Sequence, residues 1–275
     1  MGKDEGAVRP VSRRTALQAA GTAVAVVGGA AVLSACGAAS TPTNASSTGK
    51  STTGAPAAGG ITVKPATASA AWFTVKGNQI AIWDRGNDCW GSADTCTFLD
   101  QKAPSKGSWT VQVANLDATN SWAKAGIMAR SSLDPTSADV FLAVTIANGV
   151  VLQNRDTTGA NEGSGPGGDN YSVETNANGG LVPMWLKLTN DGSFNWTGWN
   201  STDGKSWQNQ TTSQANPVSL GSGYLVGLAA TAHDNTQHGV ATFASPGGFA
   251  STFSADLVGT NDTLAAPTKS PTPGA

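Results

Sequence analysis

The residues able to do chemistry are few in this chain, and several sit together. The run "NDCWGSADTC", residues 87–96, holds Cys89, Cys96, Asp88, Asp94 and Trp90. Three chemistries compete for it: a metal ion, a dithiol redox centre, or a covalent staple. Zinc asks for four ligands, and both histidines, His233 and His238, are remote in sequence. A C-x-x-C redox motif has two residues between its cysteines, whereas six separate Cys89 from Cys96. Calcium takes oxygen ligands from loops, so Asp88 and Asp94 are the candidate ligands of such an ion. The simpler account of these aspartates, and of Asp84 and Asp100 beside them, is turn capping.

Catalysis finds little to work with. Glycoside hydrolysis uses two carboxyl groups flanking the scissile bond, and no strand carries an E-x-D-x-x-E run. The glutamates beyond residue 36 are Glu162 and Glu174, both in or beside a Gly-rich loop. His233 adjoins Asp234, but no G-x-S-x-G elbow supplies a nucleophile, so His233 is read as a polar loop residue available for binding. Tryptophan is the informative residue type: the chain has nine, about twice the usual share. An indole offers an apolar face to a sugar ring and an N–H to a polar partner. Trp109, Trp122, Trp185 and Trp207 head or end apolar runs and are expected to pack. Trp90 lies in the acidic turn. Trp196 and Trp199 are three apart and cannot share one face of a strand, so one of them points outward. Trp90 and Trp199 are therefore the candidate platforms, with Asp88, Arg130, Asn154, Arg155 and His233 as candidate hydrogen-bonding partners.

The elements that must position these residues read as strands. "SWTVQVANL", "AGIMARSSL", "VFLAVTIANG", "GVVLQNR", "MWLKLTN", "SFNWTGW" and "GYLVGLAATAH" are short and rich in Val, Ile, Trp, Phe and Thr, with turn signals such as Asn148-Gly149 and Asp203-Gly204 between them. Many short strands at such spacing predict an all-β sandwich or barrel. Gly163, Gly165 and Gly168 spell G-x-G-x-x-G, but no helix opens after them and dinucleotide binding is not expected.

The N-terminal region points to export. Arg13 and Arg14 precede an uncharged Ala/Val/Gly-rich run to Ala35, the pattern of a signal segment. Ser12-Arg13-Arg14 resembles a twin-arginine signal, with Ala16 and Gln18 departing from the usual aromatic and lysine. Leu33-Ser34-Ala35-Cys36 resembles a bacterial lipobox. Residues 1–35 are then a cleaved signal, and lipidated Cys36 anchors the chain to the outer face of the cell membrane. Residues 37–70 are Ser, Thr, Ala, Gly and Pro with few large apolar side chains, and are expected to be a flexible tether. The folded domain is expected over 71–258, followed by a disordered Pro/Thr tail over 259–275. A formal net charge of −2 with 12% charged residues leaves no electrostatic footprint for nucleic acid. With Cys36 committed to lipid, Cys89 and Cys96 remain as a pair, for which an oxidising compartment makes a disulfide the default state.

In order along the chain, "DCWGSADTCTFLDQ", "WTVQVANL", "WAKAGIMARSSL", "NGVVLQNR", "MWLKLTNDGSFNWTGWNSTDGKSW" and "GLAATAHDN" resemble bacterial domains of the concanavalin A-like lectin/glucanase superfamily, of the type named after regulation of enolase. The resemblance spans Trp72 to Phe243, and Trp122–Arg130 is its most specific element. It implies an antiparallel jelly-roll sandwich of two sheets. Family members carry large apolar residues where this chain has Cys89 and Cys96, which implies that a Cys89–Cys96 disulfide replaces a hydrophobic contact. Some family members accompany carbohydrate-active modules. The expected function is therefore a noncatalytic module that binds a polysaccharide or cell-wall glycan at the envelope. A structural or protein-interaction domain and a glycosidase with unrecognised carboxylates are the alternatives.

Overall fold

The computed structural model describes residues 60–68, 72–163, 170–172, 181–210, 216–259 and 264–273. The signal segment, Cys36 and most of the tether lie outside the described residues. In chain order the strands are β1 (Thr62–Pro65), β2 (Phe73–Lys76), β3 (Gln79–Trp83), β4 (Cys89–Trp90), β5 (Ala93–Asp94), β6 (Cys96–Lys102), β7 (Gly107–Leu116), β8 (Lys124–Arg130) and β9 (Asp139–Thr145). They continue as β10 (Val150–Arg155), β11 (Asn170–Ser172), β12 (Met184–Asn190), β13 (Asn195–Ser201), β14 (Gln208–Asn209), β15 (Asn216–Pro217), β16 (Leu225–Thr231), β17 (Val240–Gly247) and β18 (Thr252–Val258).

Two sheets form the body. The first has the order β1-β18-β6-β16-β8-β9-β10-β11, and the second the order β14-β13-β12-β7-β17-β3-β2, with β15 beside β13. All pairs are antiparallel except β1 with β18. β4 and β5 make a separate hairpin. The all-β, two-sheet antiparallel sandwich expected from the sequence is thus the observed architecture.

The two sheets differ in how they are covered. In the second sheet β12 alternates buried and half-buried residues, the pattern of a sheet with one face toward water. Its inward residues, including Trp109, Val111, Leu186, Leu188 and Trp196, meet Ile127, Leu142, Leu152 and Leu228 of the first sheet in the main core. In the first sheet β8, β9 and β10 are buried at every position. Its other face carries a second core of Cys96, Phe98, Met128, Phe141, Val151 and Val258, closed by Cys89 from the hairpin. Gly126 belongs to this tight packing, because a Cβ there would collide with the Leu142 carbonyl of the neighbouring strand.

Both boundaries of the domain differ from expectation. The tether expected over 37–70 ends early, since Thr62–Pro65 forms β1 in parallel register with β18 and Ala68 is buried. β-Branched Ile61, Thr62 and Val63 supply the strand propensity, and β1 satisfies backbone groups at the edge of β18. The tail expected to be disordered has a described segment, 264–273, in which Pro271 is buried and the Lys269 carbonyl accepts a hydrogen bond from Trp83 Nε1 at 2.9 Å.

Candidate functional site

The hairpin β4–β5 decides where the chemistry sits. It lies over the outer face of the first sheet and is fastened at several points. Gln153 Nε2 donates to the Cys89 carbonyl, the Asp94 amide donates to Pro135 O, and the Glu162 amide donates to Gly91 O. Buried Thr95 holds the loop before β4, its Oγ1 accepting from the Asn87 amide at 2.8 Å and the Asp88 amide at 3.3 Å. Gly86 turns the chain at φ +90°, where a Cβ would strike the backbone of Thr95. Its carbonyl accepts from Thr231 Oγ1 and the Asp234 amide, which ties the hairpin to the end of β16.

This arrangement opens a cavity of about 410 Å³ lined by Asp88, Trp90, Trp122, Lys124 and His233. Trp90 comes from the hairpin and Asp88 from the residue before it, Lys124 from the start of β8 and Trp122 from the turn that precedes it, and His233 from the residues just after β16. The turn at Asn120, whose carbonyl accepts from the Ala123 amide and whose Oδ1 accepts from the Trp122 amide at 2.9 Å, delivers Trp122 to the same cavity just before Lys124 opens β8. The polar groups are linked. Lys124 Nζ lies 2.5 Å from Asp88 Oδ1, and His233 Nε2 lies 2.9 Å from Asp88 Oδ2. Burial pushes the Asp88 carboxyl up, but the His233 hydrogen bond and the Lys124 charge outweigh it and hold it below the usual carboxylate range. His233 adopts φ +53°, a left-handed conformation uncommon outside glycine that histidine takes more readily than most residues. Trp90 is 40% exposed at the rim, and Lys124 Nζ lies 5.7 Å from the Trp122 ring centroid. The cavity therefore offers two indoles and a continuous donor–acceptor chain.

Three of the residues expected to bind ligand, Trp90, Asp88 and His233, are thus brought together. The others are not. Arg130 and Arg155 are wholly buried and grip Asp94: Arg130 Nη1 donates to Oδ2 at 3.1 Å, and Arg155 reaches Oδ2 at 3.0 Å and Oδ1 at 2.6 Å. They are structural because the hairpin lies over them. Asn154 is buried and donates to Asp156 Oδ1. Trp199 stands on the outer face of the second sheet, its ring 4.8 Å from Lys187 Nζ, while Trp207 faces the same ammonium at 4.3 Å. Trp196 points into the core, so the inward–outward split of that pair is as expected. Trp122 and Lys124 were missed. The signal was there in "WAKAGIMAR", a lysine that opens an otherwise apolar strand two residues after a tryptophan.

The calcium ligands expected, Asp88 and Asp94, do not share a site. Asp88 meets Lys124 and His233, and Asp94 meets two guanidiniums. A buried acidic group does exist at Asp94, Asp139 and Glu162, whose oxygens lie within 4.8 Å of one another. Arg155 also binds Asp139 at 2.7 Å and Glu162 at 3.2 Å. Calcium takes six to eight oxygen ligands, and here Arg130 and Arg155 already supply the positive charge that the carboxylates would offer to an ion. The set does not fit calcium. Three carboxyls against two guanidiniums leave one negative charge in excess, which a proton neutralises. Burial, then the Asp94 charge, pushes Asp139 up to about 8, and burial pushes Glu162 well above its usual range.

Cys89 and Cys96 are neighbouring buried free thiols, so the bridge expected between them is not closed in this structure. Burial, then contact with Cys96, pushes the Cys89 thiol up. A second cavity of about 380 Å³ lies near the start of β16, with Phe194, Trp196, Leu220 and Tyr224 in its lining. Its described lining holds no carboxylate, lysine or histidine.

No family model matches the chain, and no curated protein matches it. Among solved structures it is similar to an engineered GH43 glycoside hydrolase with endo-xylanase and exo-arabinofuranosidase activity, at TM-score 0.41 and 14% identity over 64% of this chain and 35% of that one. It is also similar to the xylan β-1,4-xylosidase from Bacillus halodurans C-125, at TM-score 0.39 and 12% identity over 66% of this chain and 35% of the other. The exoplasmic/lumenal domain of VIP36, in its Ca2+/Man3GlcNAc-bound form, matches at TM-score 0.31 and 10% identity, over 64% of this chain and 79% of that domain. The match spans about a third of the length of the two glycosidases.

Proposed function

We propose that this protein is an envelope lipoprotein whose β-sandwich binds glycan without hydrolysing it, through the cavity between Trp90 and Trp122. The observation that carries the proposal is the meeting of two indoles with the Lys124–Asp88–His233 chain in one cleft. A pyranose ring stacks its C–H face on the half-exposed Trp90, and its hydroxyls exchange hydrogen bonds with the three polar residues. Lys124 neutralises Asp88 in the pocket, which suits a neutral sugar. The carboxyl arrangement supports binding over hydrolysis. Among the described residues the cavity is lined by one carboxylate, Asp88, and both of its oxygens are taken by Lys124 and His233.

Residues 71–258 extended to include β1 and the 264–273 segment would be screened against soluble and cell-wall polysaccharides, with calcium and with chelator. Retention by one glycan class, weakened at least ~10-fold by Trp90→Ala in keeping with an aromatic anchor and indifferent to chelator, is the expected result. A folded sample that no glycan retains would leave an envelope scaffold in its place.

Anchoring and oxidation follow from export. Cys36 takes the lipid, and Cys89 and Cys96 lose two electrons and two protons to a thiol oxidant of the cell exterior, forming one S–S bond. Mass analysis of the native protein is expected to find a lipidated N-terminal cysteine and no thiol that alkylates without reduction. Two alkylatable thiols would rule out the bridge.

A further inference from the structure

The segment 264–273, "LAAPTKSPTP", touches the domain in a way its composition alone does not require. Trp83 ends β3, and its own carbonyl is held by Thr97 Oγ1 at 2.8 Å, so the indole springs from a fixed point. Its Nε1 donates to the carbonyl of Lys269 at 2.9 Å. Two residues on, Pro271 is buried, while Lys269, Ser270 and Thr272 around it are exposed. The indole belongs to an aromatic group: the His238 ring lies 6.5 Å from Trp83 and 5.1 Å from Trp72, edge-on to the latter. The segment thus meets the domain through an indole N–H on a backbone carbonyl, and two residues on it carries a proline ring withdrawn from water. Aromatic surfaces recognise proline-rich segments by these means, because proline's fixed φ removes much of the ordering cost of an extended chain.

We propose that the surface around Trp83 is a docking site for proline-rich polypeptide segments, filled in the resting molecule by this chain's own 264–273 segment. Neither element of the contact uses a charged side chain or the covalent link, so a proline-rich segment of another chain meets the same chemistry. The link sets the competition. Four residues, 260–263, separate Gly259 from Leu264, and so short a tether holds the segment at an effective concentration in the millimolar range. A partner in trans therefore binds weakly until the internal segment is loosened. This inference is independent of the glycan cleft, which shares no residue with it.

The test uses the full chain and a synthetic peptide of residues 264–273. Pro271→Ser removes the buried ring from the segment and leaves the domain untouched. Trypsin cleavage after Lys269 is expected several-fold faster in Pro271→Ser and in Trp83→Phe than in the unmodified chain. The peptide is expected to bind Pro271→Ser at least ~10-fold more tightly than the unmodified chain, and this gain is expected to vanish in Trp83→Phe/Pro271→Ser. Cleavage of Pro271→Ser at the unmodified rate, or peptide binding that does not improve in that variant or does not depend on Trp83, would overturn the proposal. Thermal unfolding of each variant verifies that the sandwich is intact.

Discussion

Asp94 carries more of this molecule than any other single carboxylate described. It accepts three hydrogen bonds from two guanidiniums, all of them buried, and it fixes the hairpin to the sheet. Removing one partner from a buried charged network strands the others without water to solvate them. Asp94→Ala is therefore expected to lower unfolding stability by about 3–5 kcal/mol, measured by urea titration. A change below about 1 kcal/mol would mean that Arg130 and Arg155 find other acceptors. The same side chains explain a miss in the sequence reading. An arginine in an apolar run suggests a ligand contact or a buried pair equally, and only the chain segment lying above it distinguishes the two. Glu162 is a second case. From within a Gly-rich loop it reads as a solvated acid, yet it reaches the buried cluster and pairs with Arg155.

At the scale of elements, the β4–β5 hairpin is the part on which the site depends. It brings Asp88 and Trp90 to β8 and to the end of β16, and its approach relies on the left-handed turn at Gly86. Gly86→Ala forces a Cβ against the backbone of Thr95 at a φ that L residues avoid, with a cost of about 1–3 kcal/mol. The expected outcome is faster amide exchange across 86–96 and loss of glycan retention, with exchange in β8 and β9 unchanged. Uniform loosening of the whole sandwich would show that the hairpin is not a separable element. The strands themselves were legible. β12 and β13 alternate as their sequences do, and Trp196 and Trp199 fall on opposite faces for that reason. The hairpin's place was not legible, because β4 and β5 are two residues each and local pattern says nothing about which sheet they cover.

Across the described residues several carboxyls are withdrawn from water, among them Asp84, Asp94, Asp100 and Asp139. Burial pushes Asp84 and Asp100 each up to about 7, and Asp139 up to about 8. These folded values exceed the ordinary carboxylate range of the unfolded chain, so between about pH 4 and pH 8 the folded state holds protons that the unfolded state has released. By linkage, stability falls as pH rises through that window and levels off above it. Asp88 acts oppositely: its carboxyl is depressed, and the stability it contributes is lost on acidification below the ordinary carboxylate range. The chain is therefore expected to be more stable to urea at pH 5 than at pH 8, with proton release on unfolding at neutral pH. Equal midpoints at the two pH values would mean that the buried carboxyls ionise in the folded state.

The sequence by itself determined the fold class. Alternating and continuous apolar runs and turn residues are local properties, and they survive without knowledge of what packs on what. It also singled out Trp90, Asp88 and His233, since rare residue types with binding chemistry are visible anywhere. Tertiary structure alone decided which of the candidates meet. One sheet is covered on both faces, which turned Arg130, Asn154 and Arg155 from ligand contacts into buried structure. The same covering element left Trp122 and Lys124 at the mouth of a cavity. β1 and Pro271 joined the domain through an edge strand and an indole that no local pattern announces. Burial is a property of the neighbours a residue acquires, and for this chain those neighbours come from segments up to 190 residues apart.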